Sequence, residues 1–338
     1  MAGFKMRRRN FLPALVWHFR VDYSHNAAHL NACHLPWYGC LPLCLPRFLS
    51  ALHYNGRMNS SLPPALPDAV FSRQKSLAPL IQHLPPSGSR PLTVAGRVAG
   101  WITPRATDSL ASITGVRVTD EAVHVAAVPR QRLPLDTLMV HIAQVLRENG
   151  CLRGWRDELL DVYGEGRRLC VLERAAMRPL GLLTKAVHLN AWSPDGRLWV
   201  ARRSPTKATD PGKWDTLVGG LVSSAEPFDT SLVRECFEEA GLHASDINNR
   251  TPLRMVLRMH RRLPEGYQVE DVLVSDCVLA HDVMPCNQDG EVSEIRLASM
   301  DEVWSLLEDD EFTQEAEASI LDSLLFRYHR GETAWSQA

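Results

Sequence analysis

The stretch GGLVSSAEPFDTSLVRECFEEAGL, Gly219 to Leu242, constrains the fold more tightly than any other part of the chain. It holds five carboxylates, and three of them, Glu235, Glu238 and Glu239, fall within five consecutive positions. Pro227 can open a helix at its first position and Gly241 can end one, so the stretch is predicted to be a loop followed by a helix of about four turns. At about 100° per residue, Phe228, Leu232, Val233, Cys236, Phe237 and Ala240 form one broad apolar arc, with the three glutamates crowded at its border. Like charges three and four residues apart on a helix repel by roughly 0.2–0.5 kcal/mol per pair, so something must offset them. A hard divalent cation does so economically: Mg2+ takes few carboxylates, keeps waters and draws its remaining ligands from substrate phosphates. A solvated acidic face is the alternative for an arbitrary Glu-Glu pair, and the surrounding spacing decides between the two.

That spacing runs Gly220, five residues, Glu226, seven residues, Arg234-Glu235, an apolar Cys236, one residue, Glu238-Glu239, one residue, Gly241 and an apolar Leu242. It resembles the Nudix box with nine constrained positions filled, a far more specific signal than a lone glycine motif. The resemblance implies an α+β fold, an α/β/α sandwich around a mixed sheet. It implies that Glu235, Glu238 and Glu239 are catalytic and ligate Mg2+ or Mn2+, with the Gly220 carbonyl as a further ligand. Glu226, Arg234 and Gly241 are then structural, the first two as an ion pair bracing loop and helix. The implied reaction is hydrolysis of a diphosphate joined to an organic group X, the metal neutralising the diphosphate and activating water. A carboxylate often outside the box takes the proton; Glu291 or Glu294 in NQDGEVSEIRL is the candidate, with Glu235 the alternative.

A finer resemblance covers most of the chain after Met58. WRDELLDVY, VHLNAW and LWVARRSPTKATDPGKWDTLVGG, taken with the box, are similar to Nudix proteins related to the N-terminal part of some fungal thiamine pyrophosphokinases, which carry an upstream DUF4743-type domain. It implies damaged thiamine diphosphates as substrates, or 8-oxo-guanine nucleoside diphosphates such as 8-oxo-dGDP in nucleotide sanitation; the kinase part is absent. Isopentenyl diphosphate isomerase shares the fold, but its catalytic cysteine motif has no counterpart near WDTLVGG. A non-catalytic ligand-binding regulator is the competing class, and it usually betrays itself by lost box glutamates.

The residues themselves offer an anion site. Arg202, Arg203 and Lys207 precede the strand leading into the box and can donate charge-assisted hydrogen bonds to phosphate, with Arg203 and Lys207 favoured over a solvated strand end. Trp214 can stack on a flat ring, although a tryptophan is more often core. His188 and Asn190 can bond a base or serve structure. RMHRRLPEGYQVED is predicted to be a hairpin whose His260 to Arg262 cluster is surface.

Length and composition set the frame. With 338 residues, 45% hydrophobic and 22% charged, the chain suggests two globular domains, expected over 58–180 (a small α+β unit) and 181–332, with a tail at 333–338. PLTVAGRVAGWITPRATDSL is predicted to be a strand pair or a strand with a turn at Pro104, and LDTLMVHIAQVLRENG an amphipathic helix ending at Gly150. LRGWRDELLDVYGEG follows as a short amphipathic segment with Trp155, Leu159 and Val162 on one side, Trp155 and Tyr163 packing between the domains. LCVLERAAMRPLGLL leads as a strand into the next domain, whose first hairpin is KAVHLNAW and RLWVARRS about a turn at Pro194 to Gly196.

Residues 1–57 contain one acid, Asp22, and no lasting periodicity. Arg8, Arg9, Phe11 and Leu12 resemble a twin-arginine signal, but His18, Arg20 and Asp22 stop the apolar run. His25, His29, Cys33, His34, Cys40 and Cys44 lack paired zinc-ligand spacing. Met58 is the expected true start, with a disordered leader before it. The net charge of -2 gives no global pull toward nucleic acid or membrane, and no apolar run approaches the roughly 20 residues that span a bilayer. Eight scattered cysteines read as reduced thiols of a cytoplasmic protein. The expected partner is a small-molecule diphosphate, and a homodimer is allowed.

Overall fold

The computed structural model describes residues 66–128, 130, 133–288 and 290–331. The leader expected over 1–57, with its twin-arginine and zinc readings, and the 333–338 tail lie outside the described residues.

The strand pair predicted in PLTVAGRVAGWITP is present as β1 (Arg90–Val94) and β2 (Arg97–Ile102), antiparallel with Arg90 opposite Ile102. Pro104 opens a helix, α2 (Pro104–Leu110), after α1 (Leu66–Leu77) earlier in the chain. Thr103 caps α2 by accepting the Ala106 N–H, and proline suits the first turn because it has no N–H to leave unpaired. β3 (Val116–Val118) and β4 (Val123–Val125) complete a sheet of order β2-β1-β4-β3, with β4 parallel to β1. Its core includes Leu138, Met139, Ile142 and Leu146 from the predicted helix, α3 (Leu135–Glu148).

Three expectations fail here. The LLDVYG of LRGWRDELLDVYGEG is a strand, β5 (Leu159–Gly164), antiparallel to β6 (Arg167–Glu173). Alternation along the strand buries Leu160 and Val162 and leaves Leu159 exposed, which helical spacing had placed beside Val162. Trp155 packs against the upstream core under the Arg147 guanidinium, 4.9 Å from its ring centroid. Tyr163 does reach the second domain, with the Lys185 ammonium 4.0 Å from its ring centroid. The third departure is α1, whose Leu66, Val70 and Leu77, with Ile81, join the second domain's core, and whose Arg73 pairs with Glu317 at 2.6 Å.

The second domain is built around β7 (Leu183–Trp192). With β8 (Leu198–Arg203), β9 (Trp214–Thr216), β10 (Val218–Leu221), β11 (Arg254–Leu263), β12 (Gly266–Val278) and β13 (Val292–Ala298) it forms a mixed sheet. The strand order is β11-β12-β7-β8-β13, with β10 added to β7 and β9 to β8. β12 runs parallel to β7, and β7, β8 and β13 are antiparallel neighbours. Both faces are covered, so β7 buries side chains on each. Val187, Leu189 and Ala191 meet Leu232, Cys236 and Ala240 of α4 (Phe228–Ala240). Trp192 faces the opposite layer of α5 (Met300–Glu308) and α6 (Gln314–His329), where Val303, Leu307, Ile320 and Leu324 pack. This is the α/β/α sandwich. Burying Leu232 contributes roughly 1.5–3 kcal/mol to holding α4 in place.

The two domains meet backbone to backbone at Gly181. Its φ is +58°, and a Cβ there would lie 2.4 Å from the Trp101 carbonyl oxygen. Neither the left-handed conformation nor the β2 main chain can yield cheaply. Gly181→Ala is therefore expected to cost about 2–4 kcal/mol, read as a melting temperature lowered by roughly 5–10 °C in a thermal scan.

Candidate active site

α4 begins after Pro227, which stands at the N-cap and not at the first helical position. It ends at Gly241, whose φ of 65° lets its N–H bond the Phe237 carbonyl and the Leu242 N–H bond that of Cys236. Leu232, Cys236 and Ala240 are buried, whereas Phe228 and Phe237, expected on the same arc, are 37% and 52% exposed. The packed stripe is narrower than the sequence suggested. It fixes the helix rotation so that the acidic edge faces the backbone of β10.

Each glutamate of that edge has a distinct setting. Glu239 is buried and accepts the Gly219 N–H at 2.9 Å, with the Lys207 ammonium 4.0 Å away. Glu235 lies directly over Gly220: a Cβ at Gly220 would sit 2.0 Å from its carboxyl carbon. Glu238 is half exposed and meets Arg234 at 2.8 Å. Arg234 gathers the cluster, binding Glu226 through two nitrogens at 2.9 and 3.0 Å and reaching Glu235 at 2.9 Å. This fork-to-fork pairing ties the loop before α4 to the helix, and it holds the Glu226 carboxyl below its usual range.

Burial pushes the Glu235 carboxyl up to about 7 against the opposing charge and hydrogen bond of Arg234. It pushes that of Glu239 up to about 8 against the Gly219 N–H and Lys207. Two acids raised this far are short of positive charge. Among the described residues, no three His, Cys, Asp or Glu side chains stand in metal-binding geometry; Glu235 and Glu238 are both bonded to Arg234. The donors are nonetheless all oxygen, Glu239 is buried and Glu235 part-buried, and the Glu235 carboxylate lies against the β10 main chain. That set fits a hard divalent cation, once Glu235 and Glu238 turn from Arg234.

A small cleft of ≈10 Å³ beside Glu239 is bordered by Arg203, Lys207, Asp215 and Glu291. Lys207 forms an ion pair with Glu291. Burial raises the Glu291 carboxyl, but the Lys207 hydrogen bond and charge, joined by the charges of Arg174 and Arg156, bring it below its ordinary value. Glu294 is exposed on β13, opposite Arg202. Arg203 is committed to Asp215 at 3.0 Å and to the Thr209 carbonyl.

Two sequence readings are corrected here. Trp214 is 5% exposed, with the Arg202 and Arg296 guanidinium groups 5.7 and 4.4 Å from its ring centroid; it is core and offers no face to a ligand. Arg261 is buried in ion pairs with Asp210 and Glu315, not a surface charge. Of the two roles open to His188 and Asn190, the structural one fits: both are buried and bond Thr216 and the Ser319 carbonyl. Sequence reading also missed Glu158 and Asp161 of the upstream domain, which bond Ser223 and Ser224 of the box loop, and Arg174, which pairs with Glu158; only non-local packing brings them there.

Comparison with known proteins agrees with the local pattern. A family model described as the NUDIX domain matches residues 182–319, and one described as a domain of unknown function, DUF4743, matches residues 79–184. The chain is 32% identical over 196 residues to Nudix hydrolase 24, chloroplastic, of Arabidopsis thaliana, covering 56% of this chain and 53% of that one. It is 31% identical over 193 residues to Nudix hydrolase 20, chloroplastic, of the same plant, covering 55% and 51%. The chain thus spans about half the length of these two relatives. A third relative, isopentenyl-diphosphate Delta-isomerase of Salmonella arizonae, is 30% identical over 131 residues, covering 38% of this chain and 66% of that one.

Proposed function

We propose that this chain, in which a NUDIX domain over residues 182–319 follows a DUF4743 domain over residues 79–184, is a divalent-metal-dependent hydrolase of an organic diphosphate. The observation that carries this reading is the edge of α4, where the buried Glu239 stands beside Lys207 and against the Gly219 N–H while the part-buried Glu235 lies over Gly220. Glu235, Glu238, Glu239 and the Gly220 carbonyl would hold the cation, for which Mg2+ is the assignment and Mn2+ the alternative. When bound, such an ion neutralises phosphate oxygens and lowers the pKa of water.

The chain's own residues do the rest. Lys207 offers its ammonium to a phosphate oxygen, and on doing so it leaves Glu291. Glu291 then rises toward its ordinary basicity at the mouth of the cleft, placed to accept a proton from water. Glu235 is the alternative base. Arg203 stays with Asp215 and shapes the cleft wall. Arg234 and Glu226 hold the loop and the first turns of α4 in register.

Isomerisation is the weaker reading. Cys236 and Cys277 lie buried in the core between α4 and the sheet, where burial pushes the Cys277 thiol up to about 12 and the Cys236 thiol well above its usual value. Neither is placed to exchange protons with a substrate. The substrate we infer is a thiamine-type diphosphate, in particular an oxidised one, with 8-oxo-dGDP second. Among the described residues no helix is long and apolar enough to cross a membrane, and the free thiols support a reducing compartment such as the cytoplasm.

The test is release of phosphate or monophosphate from thiamine diphosphate, its oxidised analogues, 8-oxo-dGDP, ADP-ribose and coenzyme A, with Mg2+ and again with a chelator. One compound should turn over with Mg2+ and stop with chelator. Tight binding of one compound with no turnover of any would assign the chain to ligand-sensing regulators instead.

A further inference from the structure

The cleft beside Glu239 has room for about one water molecule, so a diphosphate must lie along its mouth. There, Lys207 is the only cation that the reading above assigns to phosphate. Two more come from the upstream domain. Glu173, buried at the end of β6, accepts the backbone N–H of Arg156 at 2.8 Å and that of Ala175 at 3.3 Å, and the Arg174 N–H bonds the Glu158 carbonyl at 2.8 Å. These bonds fix the backbones of Arg156 and Arg174 around the one Glu173 carboxylate and the Glu158 carbonyl.

The same segment is fastened to the Nudix-box loop. Ser223 donates to the Glu158 carboxylate at 2.8 Å, Ser224 to Asp161 at 2.7 Å, and the Ser224 N–H to the Leu159 carbonyl at 2.8 Å. On the other side of the cleft, Arg153 donates to the Ala208 carbonyl at 2.9 Å and Arg178 to Thr209 at 2.7 Å, holding the loop that carries Lys207. The upstream domain therefore braces both flanks of the site.

The Arg156 guanidinium is exposed and donates to no other described residue, and Arg174 pairs with Glu158 alone at 2.7 Å. The Glu158 carboxylate that holds Arg174 also accepts the Ser223 hydroxyl at 2.8 Å, which sets Arg174 against the box loop. A guanidinium whose backbone is fixed beside the box loop, and whose side chain reaches toward solvent, can fork onto phosphate oxygens. We propose that Arg156 and Arg174 form, with Lys207, a binding site for the substrate diphosphate, so that the site is built by both domains; this rests on the hydrolase reading above.

Calorimetric titration of the full chain with inorganic pyrophosphate in Mg2+ tests it. Arg156→Ala should bind roughly tenfold more weakly and the double variant with Arg174→Ala about 50-fold more weakly. Arg174→Lys should recover part of the loss. Because the Arg156 side chain has no hydrogen-bond partner among the described residues, its variant should melt with the wild type. With a turned-over substrate, KM should rise more than kcat falls. Pyrophosphate binding by Arg156→Ala within twofold of wild type overturns the two-domain site and leaves the hydrolase reading standing. Arginine-dependent binding in a protein that hydrolyses no diphosphate overturns the hydrolase reading and leaves the anion site. A wild type that binds no pyrophosphate overturns both.

Discussion

Glu239→Gln is expected to lower turnover by about 10²–10⁴-fold while leaving the metal-free protein as stable as the wild type or more so. Glutamine keeps an oxygen for the Gly219 N–H, 2.9 Å away in the wild type, so the local hydrogen bond survives. What disappears is the charge. Glu239 is buried with one backbone donor and a lysine 4.0 Å distant, and a buried carboxylate so thinly compensated opposes folding. Its raised value fixes the sign of the pH dependence. Folded, the carboxyl titrates at about 8; its ordinary value is 4.5. Below pH 4.5 its preference for the protonated form contributes fully to stability, and that contribution is lost as pH climbs through 8. Glu235, at about 7 against 4.5, acts in the same direction. Melting temperatures of the chelated wild type should therefore fall from about pH 5 to pH 8, and Glu239→Gln should fall less. A variant that melts well below the wild type at every pH would show that Glu239 holds the fold and does not serve the site.

Gly220→Ala is the second large effect. Gly220 lies in β10, where alanine costs the backbone little. Its added carbon would sit 2.0 Å from the Glu235 carboxyl carbon and 2.2 Å from one carboxylate oxygen. Those atoms end a flexible side chain, so the strain is relieved by swinging Glu235 to another rotamer. Stability should change by less than about 1 kcal/mol. Activity should drop at least about tenfold to 100-fold, because a carboxylate misplaced by an ångström forfeits most of its contribution. Near-wild-type turnover would show that the position of Glu235 over Gly220 is incidental.

The box and its helix were legible because their determinants are local. Pro227 and Gly241 mark the ends of α4, and the spacing from Gly220 to Leu242 is read within 23 residues. The hairpin about Pro194–Gly196 and α3 were legible on the same ground. The first failure came where a short segment fits two periods: Leu159 and Val162 are three apart, which reads as one helical face yet falls on opposite faces of a strand. Trp214 and Arg261 failed for another reason. Their settings come from Arg296, Glu315 and Asp210, 82, 54 and 51 positions away in the chain, and no local pattern announces them. Arg156 and Arg174 follow the same rule, since what gives them meaning is the grip of Glu158 and Asp161 on Ser223 and Ser224.

The account turns on whether the glutamates of α4 hold a divalent cation. Electron paramagnetic resonance of Mn2+ titrated into the chain measures this without any substrate. The wild type should withdraw Mn2+ from the free signal, and Glu235→Gln, Glu238→Gln and Glu239→Gln should each do so at least about tenfold more weakly, with excess Mg2+ returning the free signal. Equal Mn2+ binding by the wild type and all three variants, or none by the wild type, would contradict the account.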